Sequence, residues 1–252
     1  MDILYQLPFP QEVCSKIFMY ACKSPHTGLG GGIFKNKLQN MDLDIPDKDK
    51  DIISFDADKQ NYYTYNKIYI NLFTCFPNLN TIDLGGAQMR VFGDIGDLVS
   101  LKKLSVLDLF NKSIYGSIEN FKSFPRLTKV CLSRTKVSGD ISHLKCLHNL
   151  SQLAMRNTEI TGDIINLKSL HNLSIIVLSG TRVTGDIINL KSLHNLYIID
   201  IGDTMLTGNI EHLKSLENLT LVDIDNTNIS GEEVFHEYRK SAGLPECSKY
   251  LD

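Results

Sequence analysis

A fixed 23-residue period is the feature that most constrains how this chain can fold. Within it, the thirteen-residue string TGDIINLKSLHNL occupies residues 161–173 and recurs letter for letter at residues 184–196. Fixed periods of roughly 20–50 residues are the signature of repeat architectures. The sequence therefore predicts a solenoid of about seven stacked units. One glycine marks each unit, at Gly93, Gly116, Gly139, Gly162, Gly185, Gly208 and Gly231.

Each unit has an apolar frame ahead of its glycine, as in Leu104-x-x-Leu107-x-Leu109. Successive side chains of a short strand point to opposite sides, so Leu107 and Leu109 face one side while Asp108 and Phe110 face the other. A single unit buries too little apolar surface to offset the entropy of ordering it. Stacked units share a core and pair their strands in a parallel sheet, which we expect here.

A threonine follows the strand in five successive units. We predict that its hydroxyl bonds backbone groups where the chain turns away from the strand. The glycine further along then permits a tight backbone path. The five threonines are Thr135, Thr158, Thr181, Thr204 and Thr227.

The frame resembles the leucine-rich repeat family, whose pattern is L-x-x-L-x-L-x-x-N/C-x-L. The closing stretch VTGDI at residues 183–187 resembles the plant-type subclass, whose units end L-x-G-x-I-P. Thr replaces the usual Asn of the family pattern, and no Pro follows the Ile. The resemblance covers about residues 70–231 and implies an α/β fold, a right-handed solenoid with a parallel β-sheet on its concave face. The sequence has no plant-receptor cysteine cap, transmembrane segment or kinase glycine loop, so we do not expect a receptor kinase.

The composition at the two ends differs from that of the repeats. Residues 1–69 are predicted to form an N-terminal capping region, with a helix at about 10–22, a polar loop at 42–51 and a possible edge strand at 52–55. Residues 70–230 form the repeats. Residues 231–252 form a C-terminal capping helix and tail, because an open solenoid needs a lid over its last core layer.

The predicted C-terminal helix begins with a capping box, with Ser230 as N-cap and Glu233 at the third position. Arg239 and Lys240 fall in the last turn, where they would complement the helix dipole, and Gly243 ends the helix. The apolar face comprises Val234, Phe235, Tyr238 and Ala242.

Composition excludes several classes of function. A formal net charge of −3 predicts no strong field for nucleic acid or an anionic membrane. The first residues lack a basic stretch followed by a long apolar one, so we expect no signal peptide. Scattered cysteines without a CxxC pair indicate free thiols and a cytoplasmic location. The six are Cys14, Cys22, Cys75, Cys131, Cys146 and Cys247.

No motif for nucleophilic, metal-dependent or nucleotide-dependent catalysis occurs in the sequence. Repetition places carboxylates and histidines in rows, whereas a catalytic site needs unlike groups that converge. We therefore expect no enzyme activity, no catalytic residue, no metal and no cofactor.

The outward strand positions form the candidate binding surface. They change from Lys and Arg through an apolar strip to an acidic cluster, while the core positions stay constant. We expect a monomer that binds a protein partner here, with the apolar strip as anchor and the charged ends setting orientation. The candidate residues are Asp108, Phe110, Lys129, Arg134, Gln152, Arg156, Ile175, Val177, Tyr197, Asp200, Asp203, Leu221, Asp223 and Asp225.

A second surface carries rows of lysine and histidine. Lys145, Lys168, Lys191 and Lys214 share one position of the unit, and His148, His171 and His194 share another. Adjacent histidines could share a metal or respond together to acid. The favoured interpretation is a solvated convex face, with the lysines balanced by Asp140, Asp163 and Asp186.

Two alternative functions stay open. Residues 7–21, LPFPQEVCSKIFMYA, resemble the opening of an F-box, which implies a substrate-recognition adaptor of a ubiquitin ligase. A plain capping helix is the favoured interpretation of this segment. The other alternative is a secreted, receptor-like ligand-binding protein. Its glycosylation triplets begin at Asn111, Asn149, Asn172, Asn218 and Asn228.

Overall fold

The fold was analysed in a computed structural model, which describes residues 67–75, 79–85, 90–245 and 247. In these ranges the chain winds through successive coils that contribute strands to two parallel sheets. The seven-stranded sheet contains β2 (Thr81–Asp83), β4 (Val106–Asp108), β6 (Lys129–Cys131), β8 (Gln152–Ala154), β10 (Ile175–Val177), β12 (Ile198–Asp200) and β14 (Leu221–Asp223). The eight-stranded sheet contains β1 (Lys67–Tyr69), β3 (Arg90–Asp94), β5 (Ser113–Ser117), β7 (Lys136–Asp140), β9 (Glu159–Asp163), β11 (Arg182–Asp186), β13 (Met205–Asn209) and β15 (Asn228–Ser230).

The predicted solenoid with a parallel sheet on its concave face is confirmed, and the seven-stranded sheet is that sheet. Its register advances by one unit per strand, so Ile175 lies opposite Gln152 on one side and Ile198 on the other. The sequence did not predict the eight-stranded sheet, because the Thr-Gly-Asp stretch indicated a turn. The repeats use short 3₁₀ helices, and α1 (Glu232–Ser241) is the α-helix in the described ranges.

Short 3₁₀ helices follow the strands of the eight-stranded sheet and return the chain toward the next coil. They span Ile70–Cys75, Ile95–Ser100, Ile118–Ser123, Ile141–Leu144, Ile164–Leu167, Ile187–Leu190 and Ile210–Leu213. Each buries apolar side chains against the core, as Ile164 and Leu167 do. No helix in the described ranges is both long and apolar enough to cross a bilayer.

The core is one continuous column of apolar side chains between the two sheets. The frame residues Leu173, Ile176 and Leu178 are fully buried, as are their counterparts in neighbouring coils. The predicted role of the threonines is confirmed. The Thr181 hydroxyl donates to the Leu178 carbonyl at 2.6 Å, and the other four threonines make the same bond.

The doubled TGDIINLKSLHNL string has a structural explanation in the eight-stranded sheet. Gly185 has a φ of 104°, a conformation that glycine adopts without steric cost. A Cβ there would collide with the carboxylate of Asp163 in the previous coil. That carboxylate is fixed because it accepts a hydrogen bond of 2.8 Å from the Ile165 N–H and caps the next 3₁₀ helix. Thr-Gly-Asp is therefore a stacking element.

The C-terminal helix differs from its prediction at both ends. Its N-cap is Gly231, with a φ of 84° and no side-chain cap. The predicted capping box does not form, because Ser230 ends β15 and its hydroxyl donates to the Gly208 carbonyl at 3.2 Å. The predicted apolar face is also partly wrong, since Val234 is 48% exposed while Phe235 is fully buried.

Arg239 closes the last coil and does not act as an exposed dipole partner. Its side chain is buried, and the guanidinium donates to the carbonyls of Leu216, Glu217 and Leu219 at 3.2, 3.4 and 2.5 Å. These carbonyls have no following coil to receive them. Arg239 therefore supplies the polar half of the lid, and Phe235 supplies the apolar half.

The predicted N-terminal elements, the helix at 10–22, the loop at 42–51 and the strand at 52–55, lie outside the described residues. The first described element, β1, pairs with β3 in parallel register. Among the described residues, the eight-stranded sheet therefore already includes Lys67, ahead of the predicted boundary at residue 70.

Candidate interaction face

The structure places the fourteen predicted residues along the side of the seven-stranded sheet that faces away from the core, here called the concave face. Asp108, Lys129, Gln152, Ile175, Val177, Asp200, Leu221 and Asp223 lie on its strands. Tyr197 immediately precedes β12, and Phe110, Arg134, Arg156, Asp203 and Asp225 lie in the turns that follow strands. The pairing of the strands therefore brings the set onto one continuous surface.

Four of these side chains are less accessible than predicted. Asp108, Val177, Asp200 and Leu221 are exposed by only 8%, 7%, 3% and 5%. Strands in a sheet lie roughly 4.8 Å apart, so longer neighbouring side chains shield short ones. The alternation along each strand places these four residues on the side of the sheet away from the core, as predicted. Their predicted exposure to solvent is wrong.

The accessible apolar part of the concave face is a patch of three residues, Ile175, Tyr197 and Ile198. Tyr197 is 37% exposed and the two isoleucines are half-buried. Ile198 was missed in the sequence, although it stands 23 residues after Ile175 and pairs with it in register. The unit period alone would have found it. This apolar patch lies between the basic and the acidic parts of the face.

Toward the N-terminal end, the concave face carries paired charges. Lys129 and Asp108 form an ion pair of 2.8 Å between neighbouring strands. Burial alone would lower the pKa of Lys129, but the bond to Asp108 outweighs it and raises the pKa. Arg134 lies over the ring of Phe110, with 5.7 Å between the guanidinium carbon and the ring centroid. These contacts hold the basic side chains in fixed positions.

Cys131 is the group on this face that most resembles a nucleophile. Burial is the main cause that raises the pKa of its thiol to about 11. A thiol with that pKa is protonated at neutral pH, whereas the thiolate is the nucleophile. The position of Cys131 between charged neighbours therefore gives no activated thiol.

Toward the C-terminal end, acidic side chains dominate the concave face. Asp200 and Asp223 occupy the same position of neighbouring strands, and Asp203 and Asp225 lie in the turns beyond them. Arg156 reaches Asp200 across β10, with its Nη1 3.6 Å from Asp200 Oδ2. Burial is the main cause that raises the pKa of Asp200, and Asp223 adds to it, while Ser179 and Arg156 oppose it.

The lysine and histidine rows lie on another surface. Lys145, Lys168, Lys191 and the three histidines are exposed. Lys168, His171 and Lys191 line a shallow groove of about 330 Å³ between the two identical copies. Within the described ranges, no three or more His, Cys, Asp or Glu side chains come together as a metal ion would require.

The predicted charge balance on this surface needs correction. The Asp140, Asp163 and Asp186 carboxylates each accept a backbone N–H at 2.8 Å and cap 3₁₀ helices. No ion pair joins them to the lysines in the described part of the chain. Lys214 instead pairs with Glu211 at 2.5 Å. Lys145, Lys168 and Lys191 are therefore a solvated row of like charges, and Lys214 is paired.

The geometry defines a leucine-rich-repeat solenoid, and comparison with known proteins agrees. No protein-family model and no curated protein matches the sequence. Among solved structures, the ectodomain of the receptor kinase HAESA from Arabidopsis is similar, with 25% identity, a TM-score of 0.57, and coverage of 71% of this chain and 30% of that one. That receptor was solved with a peptide hormone and a co-receptor.

Two further structures show the same fold. The ectodomain of the Arabidopsis thaliana receptor kinase GASSHO1/SCHENGEN3 has 23% identity and a TM-score of 0.58, covering 65% of this chain and 20% of its own. Internalin C2 from Listeria monocytogenes has 23% identity and a TM-score of 0.52, covering 64% and 68%. The plant-type leucine-rich-repeat resemblance is thus confirmed as a fold, and this chain spans less than a third of either plant ectodomain.

Proposed function

We propose that this protein is a non-catalytic interaction module that binds a protein partner on the concave face of the seven-stranded sheet. The observation that carries the proposal is the contrast between fixed and varied positions. The core positions and the glycine of the eight-stranded sheet repeat from coil to coil, while the outward strand positions run from Lys129 through Ile175 to Leu221. Solenoids of this kind present extended concave binding surfaces.

The apolar patch supports a protein as the partner. Interface cores are rich in aromatic and aliphatic side chains and poor in charge, with a polar rim. Ile175, Tyr197 and Ile198 fit that core, and the ion pair of Lys129 and the acidic cluster fit the rim. The aspartates of the concave face would repel phosphate groups, which favours a protein over a nucleic acid. The similar plant ectodomains were solved with peptide or protein partners.

A cytoplasmic monomer is the form in which we propose that the module acts. Cys131, Cys146 and Cys247 are free thiols. The side-chain amides of Asn149, Asn172 and Asn218 donate to carbonyls of the preceding coil, which engages the nitrogen that a glycan would use. The secreted alternative draws its support from the plant ectodomains, and a glycan mass on the natural protein would establish it.

The F-box alternative rests on residues 7–21, which lie outside the described residues, and it stays a prediction. Copurification of a Skp1-like protein that is lost on deletion of residues 1–25 would favour it. Unchanged copurification after the deletion would count against it.

The test of the proposed function is capture of a protein partner by the Ile175→Asp/Tyr197→Asp double variant. Matched controls exist away from the concave face, since Tyr115 is 53% exposed on β5 and Ile165 is 40% exposed in a 3₁₀ helix. We expect the concave variant to lose the partners that both the native chain and the Ile165→Asp/Tyr115→Asp control retain. Equal capture by the two variants would overturn the proposal.

A further inference from the structure

Two buried polar atoms on the concave face have no hydrogen-bond partner. Of the buried side-chain nitrogen and oxygen atoms in the described residues, Ser179 Oγ and Asp200 Oδ1 are the two without one. They belong to neighbouring coils, because Ser179 follows β10 and Asp200 ends β12. Buried polar groups are almost always hydrogen-bonded, so two adjacent exceptions need a cause.

The same strand position is satisfied in other coils. Asp108 Oδ1 accepts the Phe110 N–H at 3.2 Å, and Asp223 Oδ1 accepts the Asp225 N–H at 3.0 Å. Asp108 also has the short ion pair with Lys129. Asp200 has only looser counterparts: the Gly202 N–H and the Ser179 hydroxyl lie near enough to oppose the rise of its pKa but outside hydrogen-bond geometry, although the residue is more buried than Asp108, at 3% against 8% exposure.

The charge of Asp200 is also poorly compensated. Arg156 approaches Asp200 Oδ2 only to 3.6 Å, and the Arg156 side chain is 47% exposed. Asp223 brings a second carboxylate to the adjacent strand position. The two carboxylates carry more negative charge than the single, loosely held guanidinium compensates, so a second cation would be attracted to this position.

The surroundings provide access for such a cation. Asp223 is half-buried and Asp203 is exposed, so the acidic surface reaches solvent beside Asp200. Ile198, two residues before Asp200 on β12, belongs to the apolar patch. A partner side chain that packs on this patch can therefore place its charged end at Asp200 and Asp223.

We infer that Asp200 and Asp223 form a recognition site for a cationic side chain of the protein partner. Arginine is preferred over lysine, because the guanidinium has five donors in a planar fork and can bond both carboxylates at once. The incoming group supplements Arg156 in compensating the charge of the Asp200 and Asp223 carboxylates. This inference rests on the proposed function, since it names the chemistry of the partner that the concave face would bind.

The test uses the whole chain and a small probe, so that it does not require the partner. The amide signals of Gly202 and Asp225 are followed by ¹H–¹⁵N NMR during titration with N-acetyl-arginine methylamide. The matched probe is N-acetyl-citrulline methylamide, which keeps the shape and loses the charge. We expect the arginine probe to bind at least five times more tightly than the citrulline probe, with the lysine analogue between them.

The variants make the site specific. We expect Asp200→Asn to weaken binding of the arginine probe at least fivefold, and the control Glu159→Gln, exposed on β9 of the eight-stranded sheet, to weaken it less than twofold. Equal binding of the two probes, equal effects of the two variants, or tighter binding of Ca²⁺ than of the arginine probe would overturn the inference. Capture lost in the Ile175→Asp/Tyr197→Asp variant, with no selectivity for the arginine probe, would leave the proposed function standing and remove this site.

Discussion

The two sheets of the solenoid are built from the same coils but differ in how much their residues vary from one coil to the next. In the eight-stranded sheet, the glycine at the position of Gly185 recurs in every coil from Gly93 to Gly231, and a polar residue such as Asp186 follows it. In the seven-stranded sheet, one outward position changes from Lys129 and Gln152 to Ile175 and Ile198, so its charge and polarity vary along the solenoid. The first sheet is constrained by contacts between coils, while the second leaves one side free for recognition.

The largest effect is expected where the constant sheet is broken. Gly185→Val places a β-branched residue at a φ of 104° and a Cβ against Asp163. The strain and the clash together should lower the free energy of unfolding by about 4 kcal/mol. Chemical denaturation measures the loss. The adjacent Thr184→Val variant is the control, and a change at Gly185 no larger than that of the control would contradict this account of the string.

The C-terminal lid should be the next most sensitive place. Arg239→Met removes the guanidinium from the carbonyls of Leu216, Glu217 and Leu219, of which Leu216 keeps the Leu219 N–H and Leu219 keeps the Cys247 thiol as donors. Each buried acceptor left unsatisfied costs about 1–3 kcal/mol. We expect chemical denaturation to show a free energy of unfolding lower by about 3 kcal/mol, and hydrogen exchange to show faster exchange of the amides in the last coil. The control variant Lys240→Met, at the exposed neighbouring position, should change the free energy of unfolding by less than about 0.5 kcal/mol. Similar losses in the two variants would refute the buried role of Arg239.

On the variable sheet, one substitution should stabilise the protein. Because burial raises the pKa of Asp200, the ionised carboxylate destabilises the native state above that raised pKa, and protonation removes the penalty as the pH falls through it. Asp200→Asn should therefore raise the free energy of unfolding by about 1 kcal/mol at pH 7. The gain should shrink as the pH falls through the raised pKa of Asp200 and should be lost once the pH is below about 4, the ordinary pKa of aspartate.

Thermal unfolding across pH measures this effect. Asp203→Asn, at an exposed position, is the control and should give no such pH-dependent gain. A destabilised Asp200→Asn variant at pH 7 would mean that the pair with Arg156 outweighs the cost of burying the charge.

The smallest effect concerns the reactivity of thiols on and off the concave face. The Cys131 thiol, with its pKa raised to about 11 chiefly by burial, should react with iodoacetamide at pH 7.4 at least tenfold more slowly than the exposed Cys146. Mass spectrometry of the digested protein gives both rates, and Cys146→Ser confirms the assignment. Faster labelling of Cys131 would show that the concave face is more open than the structure indicates.

Much of the constant framework could be predicted from sequence, because it repeats. The period predicts the buried frame residues and the role of Thr181, whose hydroxyl donates to the Leu178 carbonyl. The eight-stranded sheet was missed because three-residue stretches such as Thr-Gly-Asp are typical of turns. Nothing local in the sequence shows that they stack on identical neighbours at a distance of 23 residues.

The candidate site could be predicted only in part. Alternation assigned Asp200 and Val177 to the concave face, but their burial depends on side chains of neighbouring coils. The contact of Arg156 with Asp200 crosses an intervening strand, and 44 residues separate the two in sequence. Likewise, helix-dipole reasoning placed Arg239 in the last turn, whereas the unpaired carbonyls of the final coil determine where its side chain goes.

The central claim is that the variable sheet binds and the constant sheet supports. The most direct test is the dissociation constant of a captured partner, measured by titration calorimetry for two matched double variants. We predict that Ile175→Asp/Tyr197→Asp weakens binding at least a hundredfold, as expected when central anchors of an interface are lost, while Ile165→Asp/Tyr115→Asp changes it less than threefold. Equal losses in the two variants, or a greater loss in the second, would contradict the account.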